Sequence, residues 1–209
     1  MKKPFTILTV NGSAAGTIPR IFKHIDKSIR VQFIRSTQEA YNAHCNAVLL
    51  LGGADINPFW YGQPKTHSNK GDKNRDMVEW ALVHRALKYD FPLMGICRGH
   101  QIITAACGGI LHQDLFANDV SSNHGSSHMI EAYDPLTSYI PTMAVNSYHH
   151  QAVRKVPFGF QVGAVSDDGV IESIWRPGVL GVQWHPEMLW EDDRRWSSLF
   201  EWFIDGLAW

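Results

Sequence analysis

The sequence predicts an α/β fold: a mainly parallel central sheet flanked by helices, with extra β-hairpins in the C-terminal half. Three observations predict it. In the first half, short apolar runs alternate with helical patterns, the arrangement of βαβ units around a parallel sheet. In the second half the apolar segments follow one another closely, and Asp168-Gly169 is a hairpin turn signal between two of them. No repeat, low-complexity tract or linker divides the 209 residues, a length that one domain spanning 1–209 can absorb.

Taken in order, Phe5 to Val10, Val31 to Ile34, Ala47 to Leu51 and Pro92 to Ile96 read as strands. Between the last two, Val78, Ala81, Leu82, Ala86 and Tyr89 recur at helical spacing. A helix over Arg75 to Tyr89 should therefore lay one face on the sheet and stop at Asp90 and Pro92. The shorter β-like segments are Met143 to Ser147, Phe160 to Val165, Val170 to Trp175 and Val179 to Trp184. Trp196, Leu199, Phe200 and Phe203 predict a closing helix within Asp192 to Leu207, with Glu191 or Asp192 as a weak cap. Two long loops, Gly52 to Asn74 and Asp114 to Ser127, are candidates for substrate-binding elements or plain surface insertions.

Hydrophobic residues form 44% of the chain and charged residues 19%, enough apolar side chain to offset the entropy lost on folding. Nineteen basic against twenty acidic residues leave a net charge of -1, so no broad cationic field exists for nucleic acid or anionic membrane. No apolar run approaches a membrane span, and the N-terminal segment lacks the long apolar core of a secretory signal. Three cysteines without a C-x-x-C pair argue against a disulfide framework. A cytoplasmic protein is expected.

The chemistry concentrates at two places. Gly95-Ile96-Cys97-Arg98-Gly99 sets a cysteine between glycines where a strand ends and a helix begins. Such an elbow holds the central residue in a strained backbone and projects its sulfur above the sheet edge. The helix N-terminus adds partial positive charge that favours thiolate. Cys45 and Cys107 lack this setting and read as core residues. A cysteine nucleophile needs a proton carrier, and His185 follows the strand-like Gly181 to Trp184, at the carboxyl end where open sheets carry their sites. In His185-Pro186-Glu187 the proline fixes a turn, so the Glu187 carboxylate can fold back and orient the imidazole.

Gly-Ile-Cys-Arg-Gly-His-Gln at 95–101 and Gly-Val-Gln-Trp-His-Pro-Glu at 181–187 resemble the two signatures of class I glutamine amidotransferase-like proteins. Arg98, His112-Gln113-Asp114 and Val145-Asn146-Ser147-Tyr148-His149-His150-Gln151 resemble its γ-glutamyl hydrolase branch, which includes γ-glutamyl-γ-aminobutyrate hydrolase. The resemblance runs from about Leu49 to the C-terminus and implies a flavodoxin-like fold. It also implies a γ-glutamyl thioester on Cys97, with His185 moving protons and Glu187 orienting it. Backbone N–H groups of Gly53 and Arg98 would face the oxyanion. Gln101, Asn146, Ser147, Tyr148 and His149 would surround the glutamyl group, or in part cap a helix and form an ordinary polar loop. The implied partner is a small γ-glutamyl substrate. A separate synthetase chain is implied instead if the chain is an ammonia-delivering glutaminase.

His149-His150, with His112, His124 and His128, raise a metal reading. Adjacent strand residues face opposite ways, so that pair should not share an ion, and neither metal nor cofactor is expected. His100 is more typical of amidotransferase subunits than of the hydrolase branch. Asn11 to Gly16 lacks the G-K-[ST] ending of a phosphate-binding loop, and its purpose is not legible. Trp60 and Tyr61 would either border the leaving-group pocket or pack their loop onto the core.

Overall fold

In a computed structural model describing residues 4–117, 120–121 and 124–207, five parallel strands form one half of a continuous sheet. These are β1 (Thr6–Thr9), β2 (Arg30–Phe33), β3 (Ala47–Leu50), β4 (Leu93–Ile96) and β11 (Val179–Val182), in the order β2-β1-β3-β4-β11. Beyond β11 the sheet continues antiparallel through β10 (Ile171–Arg176), β9 (Gln161–Ser166), β6 (Ser127–Ala132) and β7 (Met143–Asn146). A side branch joins β5 (Ile110–His112) to β8 (Ala152–Lys155), which meets β10 at Ile171. The expected change of character between the halves is therefore the passage from parallel to antiparallel pairing.

The parallel strands are apolar on both faces because helices cover both. Along β3, Ala47 and Leu49 enter a core beneath α1 (Ile18–Ile25) and α5 (Arg194–Ile204), where Phe22 meets Phe200 edge-on at 5.8 Å. Val48 and Leu50 point the other way, into a core with α3 (Lys73–Tyr89) and α4 (Arg98–Ala106). The short α2 (Thr37–Asn42) is capped by Ser36, whose hydroxyl accepts the Glu39 N–H.

Helix α3 begins two residues before the expected Arg75, because Asp72 caps it by accepting the Arg75 N–H at 3.1 Å. It ends where Asp90 turns left-handed at φ 52°. At α5 the expected cap is corrected: Asp193, not Glu191 or Asp192, accepts the Arg195 N–H. Strands β5, β6 and β8 were not legible as such; they are short, and β6 breaks the apolar-in, polar-out pattern by turning Met129 outward and His128 inward. Residues 118, 119, 122 and 123 of the second long loop lie outside the described residues. Among the described residues no helix is long and apolar enough to cross a membrane.

Candidate active site

Three adjacent strand ends converge. Strand β4 lies between β3 and β11, with Gly95 in register with Leu50 on one side and Gly181 on the other. The chain therefore delivers Cys97 after β4, Gly52-Gly53 after β3 and His185 just beyond β11 to one edge of the sheet. Cys97 sits at φ 50°, ψ -104°, a conformation a non-glycine residue adopts only when its surroundings impose it. The imposing contacts are visible. The Cys97 N–H is tied to the Val182 carbonyl at 2.8 Å. Helix α4 starts so close to β3 that a Cβ at Gly99 would fall 2.2 Å from the Leu50 carbonyl oxygen.

His185 is buried, and its Nδ1 lies 2.6 Å from a Glu187 carboxylate that is itself sealed from solvent. Glu187 reaches back because Pro186–Met188 forms a single 3-10 turn. Burial opposes charge on His185, but hydrogen bonds from Cys97 and Glu187, and the charge of both, outweigh it and raise the imidazole to about 10. The other two cysteines lie away from this edge of the sheet. Burial pushes the Cys45 and Cys107 thiols up to about 11, and Cys45 spends its proton on the Ala47 carbonyl.

The remaining residues expected at the site take distinct positions. Asn146 grips the backbone of His185: its Oδ1 accepts the His185 N–H at 2.8 Å and its Nδ2 donates to the carbonyl at 3.0 Å. Ser147 is buried and donates to the His124 carbonyl at 2.9 Å. Tyr148 is 61% exposed, with its ring 5.9 Å from the His185 ring, so it alone of this stretch offers a side chain to a ligand above the imidazole. The His149 side chain turns inward, its Nδ1 on the Gln151 carbonyl at 2.9 Å. Gln101 donates to the Gln151 carbonyl and to Gln183. The polar side chains Asn146, Ser147, His149 and Gln101 thus hold the walls of the site together, leaving backbone and Tyr148 to face its mouth.

Gly53 follows β3, and beneath it lies a buried ionic cluster that sequence reasoning missed. The Arg98 guanidinium pairs with Asp76 and Glu79, both fully buried on α3. Arg75 bonds Glu79 at 2.8 Å and donates to the Leu51 carbonyl at 2.7 Å, fixing the loop that carries Gly52-Gly53. The spacing of Arg75, Asp76 and Glu79 on a helix was the available signal, but a helix's charged residues ordinarily face water. The small-residue loop at 11–16 also finds its place: the Ser13 N–H donates to the Gly52 carbonyl at 2.9 Å, and a Cβ at Gly12 would come within 2.5 Å of that oxygen.

His100 is fully buried against Gly181, and burial lowers its pKa to about 3; no ligand reaches it. Of the two uses considered for Trp60 and Tyr61, packing is the one observed: Trp60 stacks on Trp80 at 4.6 Å and Tyr61 is buried. The first long loop is held by Gln113, which accepts N–H groups of Thr66 and His67 and donates to Pro64.

The structure thus sets Cys97 at a strained strand-to-helix elbow and His185, held by the Glu187 carboxylate, on the neighbouring strand end of an α/β sheet. Solved structures with this fold include a glutamine amidotransferase from Thermotoga maritima (TM-score 0.67, 16% identity, 98% of this chain and 85% of that one). Another is a glutamine amido transferase from Methylobacillus flagellatus (TM-score 0.63, 19% identity, 95% and 76%). In sequence the chain is 30% identical over 201 residues to the glutamine amidotransferase-like protein YvdE of Lactococcus lactis, covering 89% of this chain and 85% of that one. It is also 30% identical over 171 residues to the γ-glutamyl-γ-aminobutyrate hydrolase PuuD of Escherichia coli K12, covering 72% of this chain and 67% of PuuD. The Peptidase C26 family profile matches residues 28–187, and the chain belongs to this family of class I glutamine amidotransferase-like proteins.

Proposed function

We propose that the chain hydrolyses the γ-glutamyl amide bond of a small γ-glutamyl conjugate through a thioester on Cys97. The observation that carries this reading is the His185 ring, bonded to Glu187 through Nδ1 at 2.6 Å and delivered to the strand end next to the one that carries Cys97. Family membership supports amide hydrolysis as the reaction class.

In the proposed sequence the Cys97 sulfur attacks the γ-carbonyl carbon while His185 holds the thiol proton. The tetrahedral oxyanion is met by the backbone N–H groups of Gly53 and Arg98, each such donor being worth about 10²- to 10³-fold in rate. His185 then passes its proton to the departing amine as the C–N bond breaks, leaving the γ-glutamyl thioester. Water attacks the thioester carbon and gives a proton to His185. Glutamate leaves as the C–S bond breaks, and the proton returns to sulfur. Glu187 keeps the imidazole in the tautomer whose Nε2 faces sulfur.

The names of the amidotransferase relatives favour a second reading, a glutaminase that delivers ammonia to a separate synthetase. Steady-state glutamate release by the purified chain, from a panel of γ-glutamyl amines and from glutamine, separates the two. The hydrolase reading expects at least one γ-glutamyl amine to exceed glutamine in kcat/KM by about tenfold, which needs only roughly 1.4 kcal/mol of leaving-group recognition. Turnover of glutamine alone, rising with a co-purifying synthetase, would replace it with the second reading.

A further inference from the structure

On the antiparallel side of the sheet, Glu172 of β10 is fully buried among three imidazoles drawn from separate parts of the chain. His124 precedes β6, His128 lies on it, and His149 follows β7. His124 Nδ1, His128 Nε2 and His149 Nε2 stand 3.4, 3.4 and 3.5 Å from the same Glu172 oxygen, and His124 Nδ1 is 3.1 Å from His149 Nε2. We infer that His124, His128, His149 and Glu172 form a structural zinc site, distinct from the Cys97 centre.

The spacing is the first argument. A hydrogen bond from a charged donor to a carboxylate is about 2.7–2.9 Å long, and these nitrogens are farther away than that. Two ligands on one tetrahedral zinc, with bonds of about 2.0–2.1 Å, lie about 3.3–3.4 Å apart. The triangle of His124 Nδ1, His149 Nε2 and Glu172 Oε1, with edges of 3.1, 3.4 and 3.5 Å, matches one face of such a tetrahedron. His128 Nε2 is 3.4 Å from the same oxygen but stands outside the 4.8 Å group that the other three ligand atoms form, so it becomes the fourth ligand only by turning in onto the ion.

The tautomers are the second argument. His149 Nδ1 faces the Gln151 carbonyl, an obligate acceptor, so that nitrogen carries the hydrogen and Nε2 presents a lone pair. His124 Nε2 faces the Asp168 carboxylate at 3.2 Å, which leaves the Nδ1 lone pair pointing inward. Two imidazole lone pairs and a carboxylate aimed at one buried point repel one another unless a cation joins them, either a metal ion or a second proton on His124, whose pKa Glu172 and Asp168 raise against burial. The carbonyl behind His149 and the carboxylate behind His124 are also the usual outer partners of zinc-ligating histidines. Among the described residues, neither Glu172 oxygen nor either His128 ring nitrogen makes a hydrogen bond. Three imidazole nitrogens and one carboxylate oxygen suit zinc, and the burial of all four residues leaves no open position for catalysis.

His150 turns to Asp55 at 2.9 Å and takes no part in this group. What the sequence hid is that His149 meets partners brought from β6 and β10. Zinc here fastens the loop ahead of β6 and the turn after β7 to β10. Tyr148, beside His185, is thereby anchored through its neighbour.

The test measures metal in the whole purified chain after gel filtration in metal-scrubbed buffer, with no histidine tag. About one zinc per chain is expected. Removal by a strong chelator should lower Tm by several degrees, and zinc but not magnesium should restore it. X-ray absorption at the zinc edge of the parent chain, which needs no variant to fold, should show three imidazoles in a four-coordinate shell. Cys97→Ala should keep its zinc, whereas His128→Ala and Glu172→Gln should lose most of it. A parent chain that retains no zinc and whose Tm ignores added zinc overturns the inference. So does full occupancy in both His128→Ala and Glu172→Gln, which places the ion elsewhere.

Discussion

The Asn146 side chain holds both backbone polar groups of His185, accepting from its N–H at 2.8 Å and donating to its carbonyl at 3.0 Å. This clamp ties the end of β7 to the residue that follows the β11 segment, across a sheet in which β7 and β11 are not neighbours. Its consequence is that Asn146 positions the proton carrier rather than reaching toward substrate. Asn146→Ala should lower kcat by about tenfold to 100-fold, as expected when a catalytic group drifts by about 1 Å, with KM changed by less than about twofold. Steady-state kinetics on a γ-glutamyl amide decides it. A large rise in KM at unchanged kcat would return Asn146 to the substrate.

The cluster beneath the Gly52-Gly53 loop balances two guanidinium groups against two carboxylates with almost no solvent contact. Arg98→Met leaves Asp76 and Glu79 buried beside a single remaining cation. We expect a loss of about 3–5 kcal/mol in unfolding free energy, the usual result of breaking a buried ion pair from one side. Denaturant unfolding with fluorescence detection measures it. A loss below about 1 kcal/mol would show the cluster to be solvated.

Protonation of His185 provides a third expectation. Its folded value of about 10 lies above the ordinary imidazole value of about 6.5, so its contribution to stability is complete below about 6.5 and is lost as pH rises through about 10. The His185 ring resonances should show no titration step near pH 6.5. In Cys97→Ala the midpoint should move down, because two of the interactions that raise it come from Cys97. Two-dimensional NMR of the imidazole nitrogens reads both, and a parent midpoint near 6.5 would contradict the Cys97–His185 contact.

The parallel half of the fold was legible because each strand is a short apolar run with helical periodicity between, and both faces of the sheet are covered. The elbow was legible because its parts lie within five consecutive residues: a Cβ at Gly95 would fall 2.4 Å from the Gly99 carbonyl. What escaped were features made by residues far apart in sequence. The polar stretch at 146–151 read as either a glutamyl-binding segment or an ordinary polar loop, and its separate partners were hidden: Asn146 bonds His185, Ser147 bonds His124, and Gln151 donates to the Gln113 carbonyl. Arg75, Asp76 and Glu79 show no local sign of burial in the sequence, since nothing near them reveals that Arg98 arrives from α4 to meet them. Likewise a lone Glu172 in a β-segment gives no hint of the three imidazoles around it.

The central claim is that the γ-glutamyl group passes through the Cys97 sulfur, and the most direct measurement is to catch it there. The chain is mixed with excess γ-glutamyl amide, quenched in acid within the first turnover, digested and examined by mass spectrometry. The account predicts an added γ-glutamyl unit on the peptide bearing Cys97. That adduct should be missing in Cys97→Ala, which should also lose turnover, and unchanged in Cys45→Ala and Cys107→Ala. Turnover by Cys97→Ala at more than a few per cent of the parent rate, or an adduct mapped to another residue, would contradict it.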